Sequence, residues 1–166
     1  MNAGEAPALP RDQVQRLVAG CDLDRGRHVV LEVHDAAAAR RLLRELLARG
    51  RITFADSGHR YTERDGAVNV GFTYQGLDRL GVAGGLLGAP RGRAPAFHEG
   101  AARRAASRLG DAGISAARRW DTMFAAARAD LVLTIRADSA ADVARIADDL
   151  KRGVGGEKGA LGGQPG

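Results

Sequence analysis

Residues 68–80 constrain this chain more than any other stretch. Val68, Val70, Phe72 and Tyr74 alternate with Asn69, Gly71 and Thr73, the period-two pattern of a strand with one apolar face and one small, polar face. From Thr73 to Leu80 the sequence turns directly into a short helix holding Leu77 and Leu80. A strand that is greasy on one side and feeds a helix calls for a sheet covered by helices on that side.

The rest of the chain supplies the partners. His28 to Val33 is β-branched and apolar and reads as strand one. Asp35 caps a following helix whose Ala39, Leu42, Leu43, Leu46 and Leu47 recur at helical spacing, opposite Arg40, Arg41, Arg44 and Glu45. Gly50 stops that helix. Ile52 to Ala55 is expected to be a short second strand, with a polar loop from Asp56 to Gly66 after it. Residues 68–74 are the third strand. His98 to Leu109 reads as a helix closed by Gly110-Asp111, with Trp120 and Phe124 in an irregular connection. Leu131, Leu133 and Ile135 alternate with Val132, Thr134 and Arg136, giving a fourth strand. Asp138-Ser139 opens a last helix with a stripe of Val143, Ile146, Ala147 and Leu150.

This order is the split β-α-β pattern of a ferredoxin-like fold. The expected class is α+β, with a four-stranded antiparallel sheet and helices on one face. Its second face would carry Val30, Glu32, Asn69, Gly71, Thr73, Val132, Thr134 and Arg136. That face is either solvated or packed against a second sheet, and the residues alone do not choose. Residues 1–10 are expected to be a flexible tail, 11–152 the domain, and 153–166 a glycine-rich disordered tail.

Composition narrows the function classes. A chain of 166 residues is long enough to bury a sizeable core without disulfides or metals. Aromatic residues make up 4% of it, so the core is built from Ala, Leu, Val and Ile. Cys21 is the single cysteine, which excludes an internal disulfide and paired-cysteine zinc sites and fits a reducing compartment. Residues 1–10 lack the basic and apolar regions of a secretory signal, and no apolar run is long enough to span a membrane. The expectation is a cytoplasmic protein with no membrane partner. The net charge of +5 comes almost wholly from arginine. Most arginines alternate with acids. The densest basic run, Arg103, Arg104, Arg108, Arg118 and Arg119, has no interleaved aromatics and reads as a solvated face, so no specific nucleic-acid partner is expected.

Chemistry-bearing residues are few. His28, His34, His59 and His98 show neither i, i+4 nor His-x-His spacing and read as scattered surface residues. Cys21 reads as a small buried residue. Gly81 to Gly88 lacks the Gly-Lys-Ser/Thr ending of a phosphate loop and follows a helix. Asp111 reads as a helix-end turn residue more than a general base. No catalytic, cofactor-binding or metal-binding residue is assigned.

Several segments together resemble the N-terminal half of the dye-decolorizing (DyP-type) haem peroxidases. They are Asp12 to Val18, His28 to Val33, Ala37 to Leu43, and above all Val68 to Val82. This last is similar to that family's Asn-x-x-Phe-Thr-x-x-Gly-Leu-x-x-Leu-Gly signature. Phe97 to Arg104, Leu109-Gly110-Asp111 and Trp120-Asp121 continue the match. The resemblance implies one of two ferredoxin-like halves whose sheets face each other in a dimeric α+β barrel, with haem bound in the second half. It also implies peroxide-dependent oxidation of dyes and phenolic compounds. That chemistry uses an axial histidine, a distal aspartate in a Gly-x-x-Asp-Gly motif and a distal arginine. No Gly-x-x-Asp-Gly occurs in these 166 residues, and none of the four histidines matches the axial position. The expectation is a truncated or split peroxidase half, inactive and without haem on its own. Its expected partner is a second copy or a separate C-terminal half. The alternative is a non-enzymatic, dimeric ferredoxin-like binding or oligomerisation module.

Overall fold

The computed structural model describes residues 10–19, 23–55, 66–82, 95–156 and 161–164. Its strands are β1 (Arg25–Val33), β2 (Ala67–Phe72), β3 (Leu131–Ala137) and β4 (Leu161–Gln164). Its helices are α1 (Arg16–Ala19), α2 (Ala36–Ala48), α3 (Tyr74–Arg79), α4 (Pro95–Glu99), α5 (Ala101–Arg104), α6 (Thr122–Ala125) and α7 (Ala140–Gly156). The sheet order is β2-β3-β1-β4, and every neighbouring pair is antiparallel. β3 is central, with Leu133 opposite Val29 on one side and Val70 on the other.

The alternation seen in the sequence decides which face is dry. Leu31, Val33, Val68, Leu131, Leu133 and Ile135 join one core cluster with Ala39 and Leu46 of α2 and Val143, Ile146, Ala147 and Leu150 of α7. Leu133 and Ile135 are at most 1% exposed, as befits central-strand residues beneath two helices. Both helices start as their sequences direct. Asp35 accepts hydrogen bonds from the Ala37 and Ala38 amides at 2.8 and 3.0 Å, and Ser139 Oγ accepts from Asp142 N at 3.1 Å. Gly50, past the end of α2, has φ +61°, the left-handed geometry a helix C-terminus favours.

Three of the four expected strands form the sheet; the expected second strand, 52–55, does not. It makes only isolated bridges, Ile52 to Val68 and Phe54 to Gln15. The reason lies at the free edge of β2. The Thr53 amide donates to Val68 O at 3.1 Å. At Val70, the next position where a ladder would bond, the Gln15 side chain is already in place. Gln15 Nε2 donates to Val70 O at 2.8 Å and Gln15 Oε1 accepts from Val70 N at 2.7 Å. A side-chain amide thus replaces the neighbouring strand and closes the edge. On the far side of the sheet, β4 pairs with β1 from Val30 to Val33. That strand, and the part of α7 from Gly153 to Gly156, fall within the tail expected to be disordered.

Two smaller differences have local causes. β2 ends at Phe72 because Thr73 leaves the sheet to cap α3. The expected helix from His98 to Leu109 is broken at Gly100, whose φ is +77°. α4 ends before it and α5 follows, with a π-turn over Ala105–Leu109.

Candidate functional site

The strand-to-helix segment is built around Thr73 and Gly76. The Thr73 hydroxyl accepts from Gly76 N at 3.0 Å and donates to Ala129 O at 2.9 Å. The Thr73 amide donates to Asp130 O at 3.0 Å. The first turn of α3 therefore sits directly on the backbone entering β3. A Cβ on Gly76 would fall 2.0 Å from the Asp130 carbonyl oxygen, so only glycine permits this approach.

Asp130 carries the next layer. Its carboxylate is fully buried; Oδ2 accepts from Val33 N at 2.7 Å and from Arg79 Nη1 at 2.6 Å. Oδ1 has no partner among the described residues. Glu32 lies alongside, accepting from Arg128 Nε at 2.9 Å and Nη2 at 2.6 Å. Oε1 is 3.5 Å from Arg79 Nη1, and His34 Nε2 is 3.8 Å from Oε2, the oxygen that Arg128 holds. Two carboxylates and two guanidiniums thus tie β1, α3 and β3 together at one end of the sheet.

The hydrogen bond from Arg128 holds the Glu32 carboxyl below its ordinary value near 4.5, and the same bond raises Arg128. A carboxylate whose pKa is depressed by folding adds stability above its unfolded value, and that stability is lost as pH falls through the lowered one. Glu32→Gln should therefore flatten the acid limb of stability against pH. Thermal melts between about pH 5 and about pH 2 should show a shallower loss in the variant than in the parent. Parallel curves would separate Glu32 from acid unfolding.

The second sheet face is rich in small side chains. Val30, Val132 and Gly71 align across β1, β3 and β2, and His28, Thr134 and Asn69 form the next row. Val30, Gly71, Val132 and Arg136 are half-buried, whereas Glu32, Asn69 and Thr134 are buried. Part of that cover comes from the chain's own N-terminal segment. Leu17 N donates to Asn69 Oδ1 at 3.1 Å, and Arg136 Nη2 donates to Leu23 O at 2.6 Å. Thr73, expected on this face, is instead the α3 cap.

The histidines do not converge. His28 is exposed, with Nδ1 3.1 Å from Thr134 Oγ1; His34 stands by Glu32; His98 packs edge-on against Tyr74, ring centroids 4.5 Å apart. His59, Cys21 and most of the Gly81–Gly88 run lie outside the described residues. Asp111 bonds through its amide to Ala105 O at 3.0 Å, closing the π-turn. Among the described residues no three His, Cys, Asp or Glu side chains could hold a metal ion. A cleft lined by Tyr74, Phe97, His98, Trp120, Met123 and Phe124 holds about 150 Å³, whereas pockets for drug-sized ligands run from roughly 300 to 1,000 Å³. His98 borders this cleft, and a cleft of that volume is far too small for a haem macrocycle.

These features define an α+β domain with one helix-covered sheet face, a second face of small residues, and no metal cluster among its described residues. Against protein-family models, residues 49–159 match the DyP dimeric alpha+beta barrel domain. The chain belongs to that family. Solved structures agree in fold. One reported as the crystal structure of DyP gives a TM-score of 0.74 at 23% identity, over 93% of this chain and 32% of that one. An ancestral D-type dye decolorizing peroxidase gives 0.72 at 24%, over 95% and 36%. A fungal DyP-type peroxidase from Auricularia auricula-judae gives 0.76 at 19%, over 97% and 35%. The chain thus spans about a third of the length of each of these structures. No curated protein matches it. No helix among the described residues is long and apolar enough to cross a membrane.

Sequence reading missed the Glu32–Arg79–Arg128–Asp130 cluster. Its members are separated by up to about a hundred positions, and no local spacing marks them.

Proposed function

We propose that this chain acts as the haem-free N-terminal half of a DyP-type peroxidase, presenting its second sheet face to another sheet. The observation that carries this reading is the conjunction of the family match over residues 49–159 with a sheet whose described helices α2 and α7 cover one face only. On the other face, Gly71 at the end of the row Val30–Val132–Gly71 leaves room for a second sheet at about 10 Å. That other sheet is supplied by a second copy or by a peroxidase C-terminal half. In the cytoplasmic setting proposed for it, the chain assists peroxide-dependent oxidation only through that partner; the cleft beside His98, at about 150 Å³, is too small to take the haem itself.

Titrating the chain with hemin tests the reading. The expected result is weak, unsaturable binding, no sharp histidine-ligated Soret band and no peroxide-dependent dye bleaching. A saturable one-to-one complex with bleaching activity would overturn it.

A further inference from the structure

We propose that the cleft between α3, α4, α5 and α6 binds a single-ring aromatic carboxylate of benzoate size. The argument is independent of the barrel reading, because the cleft lies in the β2–β3 connection and not on the second sheet face.

The walls set the shape. In a chain with 4% aromatic residues, Tyr74, Phe97, Trp120 and Phe124 meet around one cavity, joined by the His98 ring. Tyr74 stands edge-on to Phe97, with centroids 6.1 Å apart and planes at 84°, and edge-on to His98 at 69°. Beside Met123, Thr73 and Gln75, the alanines Ala101, Ala102, Ala127 and Ala129 line the cleft with methyl groups, which leave space where larger residues would fill it. The volume of about 150 Å³ matches an apolar cavity of about 150 Å³ that takes up one benzene ring.

The rings are not fully covered. Phe97 is 38% exposed and Phe124 48%, so a planar apolar guest would remove water from both. The indole N–H of Trp120 is already committed to Ser115 O at 2.9 Å, so it requires no partner from a ligand. One wall is held at a conformational cost. Ala127 has φ +52°, a geometry glycine would adopt freely, yet a methyl group is kept there against the cavity.

The rim sets the charge. Glu99 is neutralised by Arg104, with Oε2 and Nη1 2.9 Å apart. Arg103, also on the lining, makes no ion pair among the described residues. A free guanidinium beside an aromatic slot complements a ring that carries a carboxylate, which can accept a forked pair of hydrogen bonds.

Trp120 is the only tryptophan, so its emission reports on this cleft alone. Benzoate should give a saturable one-to-one calorimetric isotherm in the sub-millimolar range and a parallel change in Trp120 fluorescence. Arg103→Ala, a surface change, should weaken benzoate about tenfold while leaving the weaker binding of uncharged benzamide unaltered. Three outcomes would overturn the proposal: no saturable binding of benzoate, saturable heat with silent Trp120 emission, or equal benzoate affinity in the parent and Arg103→Ala.

Discussion

Gly76→Ala is expected to be among the most damaging single substitutions in this protein. The added methyl would sit 2.0 Å from the Asp130 carbonyl oxygen and 2.6 Å from its carbon. Both are backbone atoms of the residue entering the central strand, so no rotamer change relieves the clash. Either α3 lifts from β3, breaking the Thr73 bonds to Ala129 and Asp130, or β3 shifts. We expect a loss of roughly 3 kcal/mol, the upper end of overpacking costs. A domain with a typical stability of about 5–15 kcal/mol would become marginal. Gly50→Ala is the control. It has φ +61° but nothing within 4 Å, so it should cost only about 1–2 kcal/mol of left-handed backbone strain. Urea melts of both variants measure the difference, and equal losses would mean that close packing at Gly76 is not the cause.

Asp130→Ala is the second large effect. The carboxylate is 0% exposed, and its Oδ2 is the acceptor for both the Val33 amide and Arg79. Removing it leaves a buried N–H and a guanidinium without their acceptor. Breaking a buried pair costs about 3–5 kcal/mol. Arg79 is 40% exposed on its side chain, so water recovers part of the loss and about 3 kcal/mol is the expected figure. Asp130→Asn keeps an acceptor for Val33 N and should cost about half as much. The same urea melts decide it: an Asn variant as unstable as the Ala variant would show that the charge on Asp130 matters more than its hydrogen bond to β1.

Gly76 falls within the stretch 68–80 and Asp130 does not, so only part of the basis of these predictions is legible in that stretch. The strand at Val68 to Phe72 announced itself by alternation, and the helix after it by Leu77 and Leu80. The signature resembling the DyP-type peroxidases includes Thr73 and Gly76, but the physical reasons for them lie over 50 residues away, in Ala129 and Asp130. Glu32 was placed on the second sheet face by alternation alone; its ion pairs with Arg79 and Arg128 could not be inferred, because they depend on α3 and β3 arriving together.

The differences between expectation and structure have the same origin. Ile52 to Ala55 looks apolar enough for a strand, but Gln15 occupies the edge it would have needed, and nothing in residues 52–55 records that. Leu161-Gly162-Gly163-Gln164 has almost no strand propensity of its own and becomes a strand by pairing with β1. The aromatic cleft leaves only a faint signal, the gathering of most of the scarce rings between Phe72 and Phe124.

Sedimentation equilibrium across micromolar concentrations, on the parent chain and on Val132→Arg, tests the central claim that the second sheet face receives another sheet. Val132 is half-buried in the middle of that face, so an arginine there would hold a second sheet away without breaking the helix-covered core. The parent is expected to form a concentration-dependent homodimer, the commonest closed assembly, and Val132→Arg to remain a folded monomer. A strictly monomeric parent whose mass and stability are unchanged by Val132→Arg would contradict the account.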